Sequence, residues 1–165
     1  TAALKCSKRR TQNPVYTEYH TGYLKKILLV RQNKYDYVLL DVAGRDSEQF
    51  SSALQVSDKL IVPTQPSQAD VEVLPFVLKL FNTYHKVNEK LQPYLVVNKA
   101  PSNTRSTEVA DSIELLGTLP NFKLLNTIIR DRKQFRDATI QGLSVMEMGS
   151  SKARDEFNDF LVEIL

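Results

Sequence analysis

The feature that most constrains this chain is a repeated grammar in which short continuous apolar runs alternate with segments of helical periodicity. The runs are Tyr37-Val38-Leu39-Leu40, Leu60-Ile61-Val62-Pro63, Tyr94-Leu95-Val96-Val97 and the stretch from Leu124 to Ile129. Runs this short, rich in branched and aromatic residues, suit strands buried on both faces of a parallel sheet. The segments between them carry apolar stripes at helical spacing. Leu24, Ile27, Leu28 and Arg31 mark a helix over 21–32, and Phe50, Leu54 and Val56 mark one capped by Asp46-Ser47. Val71, Leu74, Val77 or Leu78, Phe81 and Tyr84 follow a cap at Ser67, with Pro75 restarting the helix near its beginning. Val109, Ile113 and Leu116 define the next, closed by Gly117 as its C-terminal cap with Pro120 just beyond. Two helices finish the chain, and the last presents Ala153, Phe157, Phe160, Leu161 and Ile164 along one face. Strands alternating with such helices imply right-handed crossovers and an α/β fold, a mostly parallel sheet with helices on both faces.

Nothing in the length or composition opposes that reading. The 165 residues fit one domain, residues 1–165, and the 42% hydrophobic and 25% charged content is that of a globular chain. No apolar run reaches the ~18 to 20 residues of a membrane span, and no signal-peptide pattern appears, so the expectation is a cytoplasmic protein with no membrane partner. Cys6 is the single cysteine, and with His20 and His85 far apart in sequence no zinc or iron–sulfur spacing exists. The net charge of +3 is too small to identify a nucleic-acid binder by itself. The basic stretch from Thr1 to Pro14, with Lys5, Lys8, Arg9 and Arg10, reads as a loop or frayed lead-in.

In open α/β sheets ligands bind outside the carboxyl ends of the strands, which directs attention to 41–46, 64–67, 98–105 and 130–134. Four apolar residues followed by Asp41 have the form of a Walker B strand, whose carboxylate holds magnesium, usually through water, because Mg2+ keeps part of its hydration shell and needs hard oxygen ligands. Gly44 just beyond lets the backbone approach a terminal phosphate. The plainer reading of Asp41 is a turn or helix-cap residue. Only five glycines are present, and none stands in a GxxxxGK or GxGxxG arrangement.

Five landmarks in order carry a resemblance. They are Asp36-Tyr37-Val38-Leu39-Leu40-Asp41-Val42-Ala43-Gly44; the stretch 53–67 ending Val62-Pro63-Thr64-Gln65-Pro66-Ser67; Val96-Val97-Asn98-Lys99 with Thr104 following; Ile129-Arg130-Asp131-Arg132-Lys133-Gln134-Phe135-Arg136-Asp137-Ala138; and Gly142-Leu143-Ser144-Val145. Over roughly residues 15–165 the chain resembles the ParA/MinD-type partition ATPases, a branch of the P-loop NTPases, and its basic opening is similar to a segment of the plasmid-type members. The resemblance implies ATP and magnesium as cofactors. It places Asp41 as the Walker B aspartate, Ala43-Gly44 in the switch that senses the terminal phosphate, Pro63 to Pro66 and Ser67 near the adenine and dimer contact, and Asn98 on the base edge. It also implies partition of plasmid or chromosomal DNA by a homodimer with ATP sandwiched between subunits, bound nonspecifically to nucleoid DNA and reset by a centromere-binding partition protein.

Two departures from the family pattern shape the expectation. The deviant P-loop, a KGGxGK-like run followed by Ser or Thr, is absent, and so is the acidic strand end that precedes this stretch in the family. Phosphate binding at a helix N-terminus depends on such a turn. The sequence thus reads as the C-terminal part of a longer ATPase domain, inactive alone, whose first strand and P-loop lie outside it. A non-hydrolysing regulatory or DNA-binding protein that kept the fold without the nucleotide site is the alternative. Arg130, Arg132, Lys133 and Arg136, with Lys152 and Arg154, are candidates for neutralising DNA phosphates, against the plainer reading of a solvated helical face balanced by Asp131 and Asp137. Tyr16, Tyr19 and Tyr23 read as packing residues, His20 and His85 as surface residues, and Asp155, Glu156, Asp159 and Glu163 as charges that keep the last helix from an anionic bilayer.

Overall fold

The computed structural model describes residues 2–11, 15–42, 47–67, 70, 72–103 and 107–165. Three parallel strands form the sheet in the order β1-β2-β3: β1 is Lys59–Thr64, β2 Gln92–Ala100 and β3 Lys123–Arg130. The helices are α1 (Ala2–Arg9), α2 (Lys25–Gln32), α3 (Glu48–Leu54), α4 (Leu74–His85), α5 (Glu108–Gly117), α6 (Lys133–Gln141) and α7 (Lys152–Ile164), with a 3-10 turn at Val145–Glu147.

Alternation along β2 separates the two faces of the sheet. Leu95 and Val97 join Leu74 of α4 and Leu116 of α5 in one cluster, with Val62 of β1 against it. Tyr94 and Val96 point the other way, onto Leu125 and onto Ile164, Leu161 and Phe160 of α7. Helices therefore cover both faces, the three-layer α/β arrangement of P-loop NTPase-like folds. Phe50 and Leu54 of α3 extend the first face against Phe81 of α4, and α2 closes over α3 through Leu24, Leu28 and Ala53. The fully buried Ser52 fixes that junction, accepting from the Leu24 amide at 3.0 Å while donating to the Gln49 carbonyl. Local signals act where the sequence places them. Ser47 caps α3 by accepting from the Phe50 amide at 3.1 Å, a contact worth about 1 kcal/mol, and Pro75 sits in the first turn of α4, where its missing N–H costs nothing.

Four expectations are corrected. Tyr37–Leu40 is not a strand: it makes no ladder, and Leu39 is 91% and Tyr37 69% exposed. An apolar run becomes a strand only when a neighbouring edge accepts its backbone, and among the described strands none does. The basic opening is not a loop but α1, which packs against α6. Gly117 lies inside α5, and Thr118 is its C-terminal cap in right-handed helical geometry. His85 is half-buried, stacked on Phe81 at 4.9 Å between centroids. Val71 and Asp46 lie outside the described residues.

Candidate functional site at the carboxyl ends of the strands

The sheet is irregular where its strands end. Between Val97 and Ala100 β2 carries one residue more than β3, and Lys99 within that bulge has φ +51. Bulges of this kind re-aim side chains and interrupt pairing. Asn98 therefore stands, half-buried, at an interrupted ladder rather than in a regular strand. Thr64 pairs with Val97, so Asn98 is level with the turn after β1, where Pro66 is half-buried. That turn is fixed by the Asp70 carboxylate, which accepts from the Gln65 amide at 3.0 Å. The ends of β2 and β3 are tied together in turn. The Asp131 amide donates to the Ala100 carbonyl at 2.9 Å, and the Arg130 guanidinium to the Pro101 carbonyl at 3.0 Å.

Asp41 lies on the other side of β1. It is exposed and lines a cleft of ≈ 840 Å3 walled by β1 on one side and the Tyr35–Val42 segment on the other. The Gln92 amide donates to the Asp58 carbonyl at 2.8 Å, so by alternation Leu60, Val62 and Thr64 turn their backbone groups to β2, and Lys59, Ile61 and Pro63 turn theirs to the cleft. This parity explains how a proline stands in a strand: Pro63 lacks its N–H only on the open edge. Asp41 and the end of β1 share this cleft, while Asn98 and Pro66 belong to the adjoining strand-end turns and do not line it. Gly44 is outside the described residues.

The basic candidates divide into two pairs. Arg132 makes a bidentate contact with Glu156 of α7 at 3.0 and 2.5 Å, and Arg130 lies 3.8 Å from the same carboxylate, which also accepts the Arg130 amide at 3.2 Å. The hydrogen bond to Glu156 raises the Arg132 pKa above its ordinary value, with burial opposing it. Lys133 and Arg136 stand on α6 with their side chains 79% and 60% exposed, in more exposed pairs with Asp137 at 3.4 Å and Asp131 at 2.5 Å.

The groups that sequence reasoning misses are Glu156 and Glu163, both on α7. β3 carries two extra residues between Leu124 and Ile128, which takes the Asn126 and Thr127 amides out of the regular ladder. Glu163 accepts both, at 2.8 and 2.7 Å, together with the Thr127 hydroxyl. Burial, the largest single influence, pushes the Glu163 carboxyl up, but the donors from Thr127 and Asn126 together hold it below its ordinary value. Seven residues apart on one helix, the two glutamates fall on the same face. That spacing is the available signal, and without the fold it reads as surface charge. Among the described residues no cluster of three His, Cys, Asp or Glu is arranged to hold a metal ion.

A three-layer parallel sheet with bulged and tied strand ends defines the class, a P-loop NTPase-like α/β domain. No family model matches the chain. It is 28% identical over 158 residues to the maintenance of carboxysome distribution protein A of Halothiobacillus neapolitanus, a match covering 93% of this chain and 71% of that protein. ParA family proteins of Mycoplasma pneumoniae and Mycoplasma genitalium match at 28% over 99 residues and 27% over 95 residues, covering 60% and 57% of this chain but only 36% and 35% of their own lengths. These similarities support a relationship to the ParA/MinD-type family.

Proposed function

We propose that the chain serves a positioning or partition role as the greater part of an ATP-dependent switch. The observation that carries this reading is Asp41 in a cleft along the strand edge of β1, whose backbone groups are turned outward, within a chain that matches ParA family proteins. In it Asp41 orients a magnesium ion through water, and the ion supplies charge stabilisation to the phosphates when nucleotide is bound. Asn98, set at the bulge beside the Pro66 turn, offers an amide able both to donate to and to accept from a base edge. The phosphate-cradling amides are not among these 165 residues, and we assign them to a glycine-rich unit pairing with the outward groups of β1.

The cargo reading follows from the relatives. One relative is named for carboxysome distribution and two for the ParA family, which supports a task of placing a large object, here a DNA replicon or a comparable assembly. Nonspecific DNA is the track in this reading, held by Lys133 and Arg136, with Arg130 and Arg132 positioning the strand end through Glu156. The switch works as a homodimer, and a centromere-binding or cargo-bound partner resets it.

Asp41→Ala tests the assignment. In the protein that carries the glycine-rich unit it removes the only carboxylate proposed to organise magnesium, so magnesium-dependent ATP hydrolysis falls by at least about a hundredfold, an order of magnitude consistent with losing a preorganised charge-stabilising group, while folding measured by circular dichroism is unchanged. Hydrolysis at the wild-type rate in this variant removes Asp41 from the site.

A further inference from the structure

Gly142 ends α6 in the left-handed region at φ +71, and it is also a seat for the chain's opening helix. A Cβ at this position meets the Arg10 amide nitrogen and the Arg9 carbonyl carbon, both at 2.8 Å, and the Arg9 Cβ at 2.9 Å. The first two are backbone atoms that no rotamer change can move aside. The approach is reinforced by charge: the Arg9 guanidinium donates to the Thr139 carbonyl and the Arg10 guanidinium to the Gly142 carbonyl, each at 3.2 Å. Two arginines thereby occupy the carbonyl end of α6, where cations are favoured by the helix dipole. Arg10 also clasps Glu147 at 2.8 and 2.5 Å, and that guanidinium, followed by the Ser144 amide, holds the Glu147 carboxyl down at about 2.

The docking has a consequence for surface charge. Lys5 and Lys8 are exposed on α1 and have no carboxylate partner among the described residues, unlike Lys133 and Arg136, which each share a carboxylate. At 1.5 Å per residue α1 and α6 are each only about 12 to 14 Å long, so cations on the two helices fall within less than one duplex turn of ~34 Å. We propose that α1, seated on Gly142, and the exposed face of α6 form one composite surface for a phosphodiester polyanion, to which Lys5 and Lys8 contribute the charges that the described carboxylates leave unneutralised. The inference rests on the DNA-binding reading above and names further residues for it.

The test is the salt dependence of binding to a random-sequence duplex by the protein that carries the glycine-rich unit, with ATP and magnesium. Lys5→Ala with Lys8→Ala lowers the slope of log affinity against log salt by about 2, one for each phosphate left without its lysine. Gly142→Val produces a comparable loss without removing any charge, because it unseats α1. Should Gly142→Val fold poorly, the lysine pair, exposed on α1, decides alone. A slope unchanged in the lysine pair, while Lys133→Ala with Arg136→Ala weakens binding, overturns the composite surface and leaves the DNA reading standing. No duplex binding by the unaltered protein overturns both.

Discussion

The two edges of the sheet are finished to different degrees. On the β3 side each irregularity has an answer from α7: Glu163 takes the Asn126 and Thr127 amides displaced by the bulge, and Glu156 takes the Arg130 amide and two guanidinium groups. On the β1 side the outward backbone groups of Lys59, Ile61 and Pro63 face a cleft, and the apolar run across it turns Leu39 almost wholly to solvent. Monomeric proteins rarely leave a flat apolar edge bare, because it is a template for pairing. Packing thus divides spatially, with the core concentrated around β2 and the outer edge of β1 facing a cleft.

That contrast can be broken most directly by two leucine truncations of identical chemistry. Leu95 is 0% exposed at the centre of β2 and Leu39 is 91% exposed. Leu95→Ala leaves a cavity and costs roughly 2–5 kcal/mol, whereas Leu39→Ala stays within about 0.5 kcal/mol. Urea denaturation of both variants measures the difference. Equal losses mean that Leu39 is buried in solution and that the cleft is filled.

The strand grammar itself is legible in the sequence for β1, β2 and β3, because a strand covered on both faces needs an unbroken apolar run and little else in these α/β folds produces one. The same logic fails for Tyr37–Leu40, whose run is as apolar as that of β2. What separates them is the presence of a neighbouring edge, which is non-local and leaves no mark in the run itself. α1 is hidden for a related reason. Its seat, Gly142, and its clasp, Glu147, lie more than a hundred residues away, so a basic stretch with few apolar residues looks like a loop until the partner helix end is in view. Asn98 and Pro66 are legible as strand-end residues, whereas Asp41 follows a run that forms no strand, and the division of the basic group into Glu156-bound arginines and exposed α6 cations needs the fold.

A smaller effect sharpens the finished side. Glu163→Ala leaves the Asn126 and Thr127 amides without their acceptor, at a cost of about 1–3 kcal/mol. The native environment holds the Glu163 carboxyl below its ordinary value, so its contribution is complete above the unfolded-state pKa and is lost as pH falls through the folded one. The gap between wild type and variant in chemical denaturation narrows accordingly on acidification from neutral pH. A gap independent of pH assigns the loss to packing instead of to the carboxylate.

The finest test reads the open edge amide by amide. Leu60, Val62 and Thr64 donate toward β2, and the Ile61 and Lys59 amides face the cleft, so hydrogen exchange along β1 should alternate, with Ile61 exchanging faster than either neighbour. Pro63 has no amide to report, which makes the Leu60, Ile61 and Val62 triplet the decisive reading. Alternation means that the edge is open to solvent and available to a pairing strand. Uniform protection across the triplet means that the edge is already paired in solution, by a second copy or by a further strand, and the contrast between the two edges of the sheet then disappears. Adding nucleotide to the same measurement separates the cleft from the ladder: protection gained at Ile61 and not at Leu60 or Val62 places the bound-state change on the Asp41 side of β1, where the proposed switch operates.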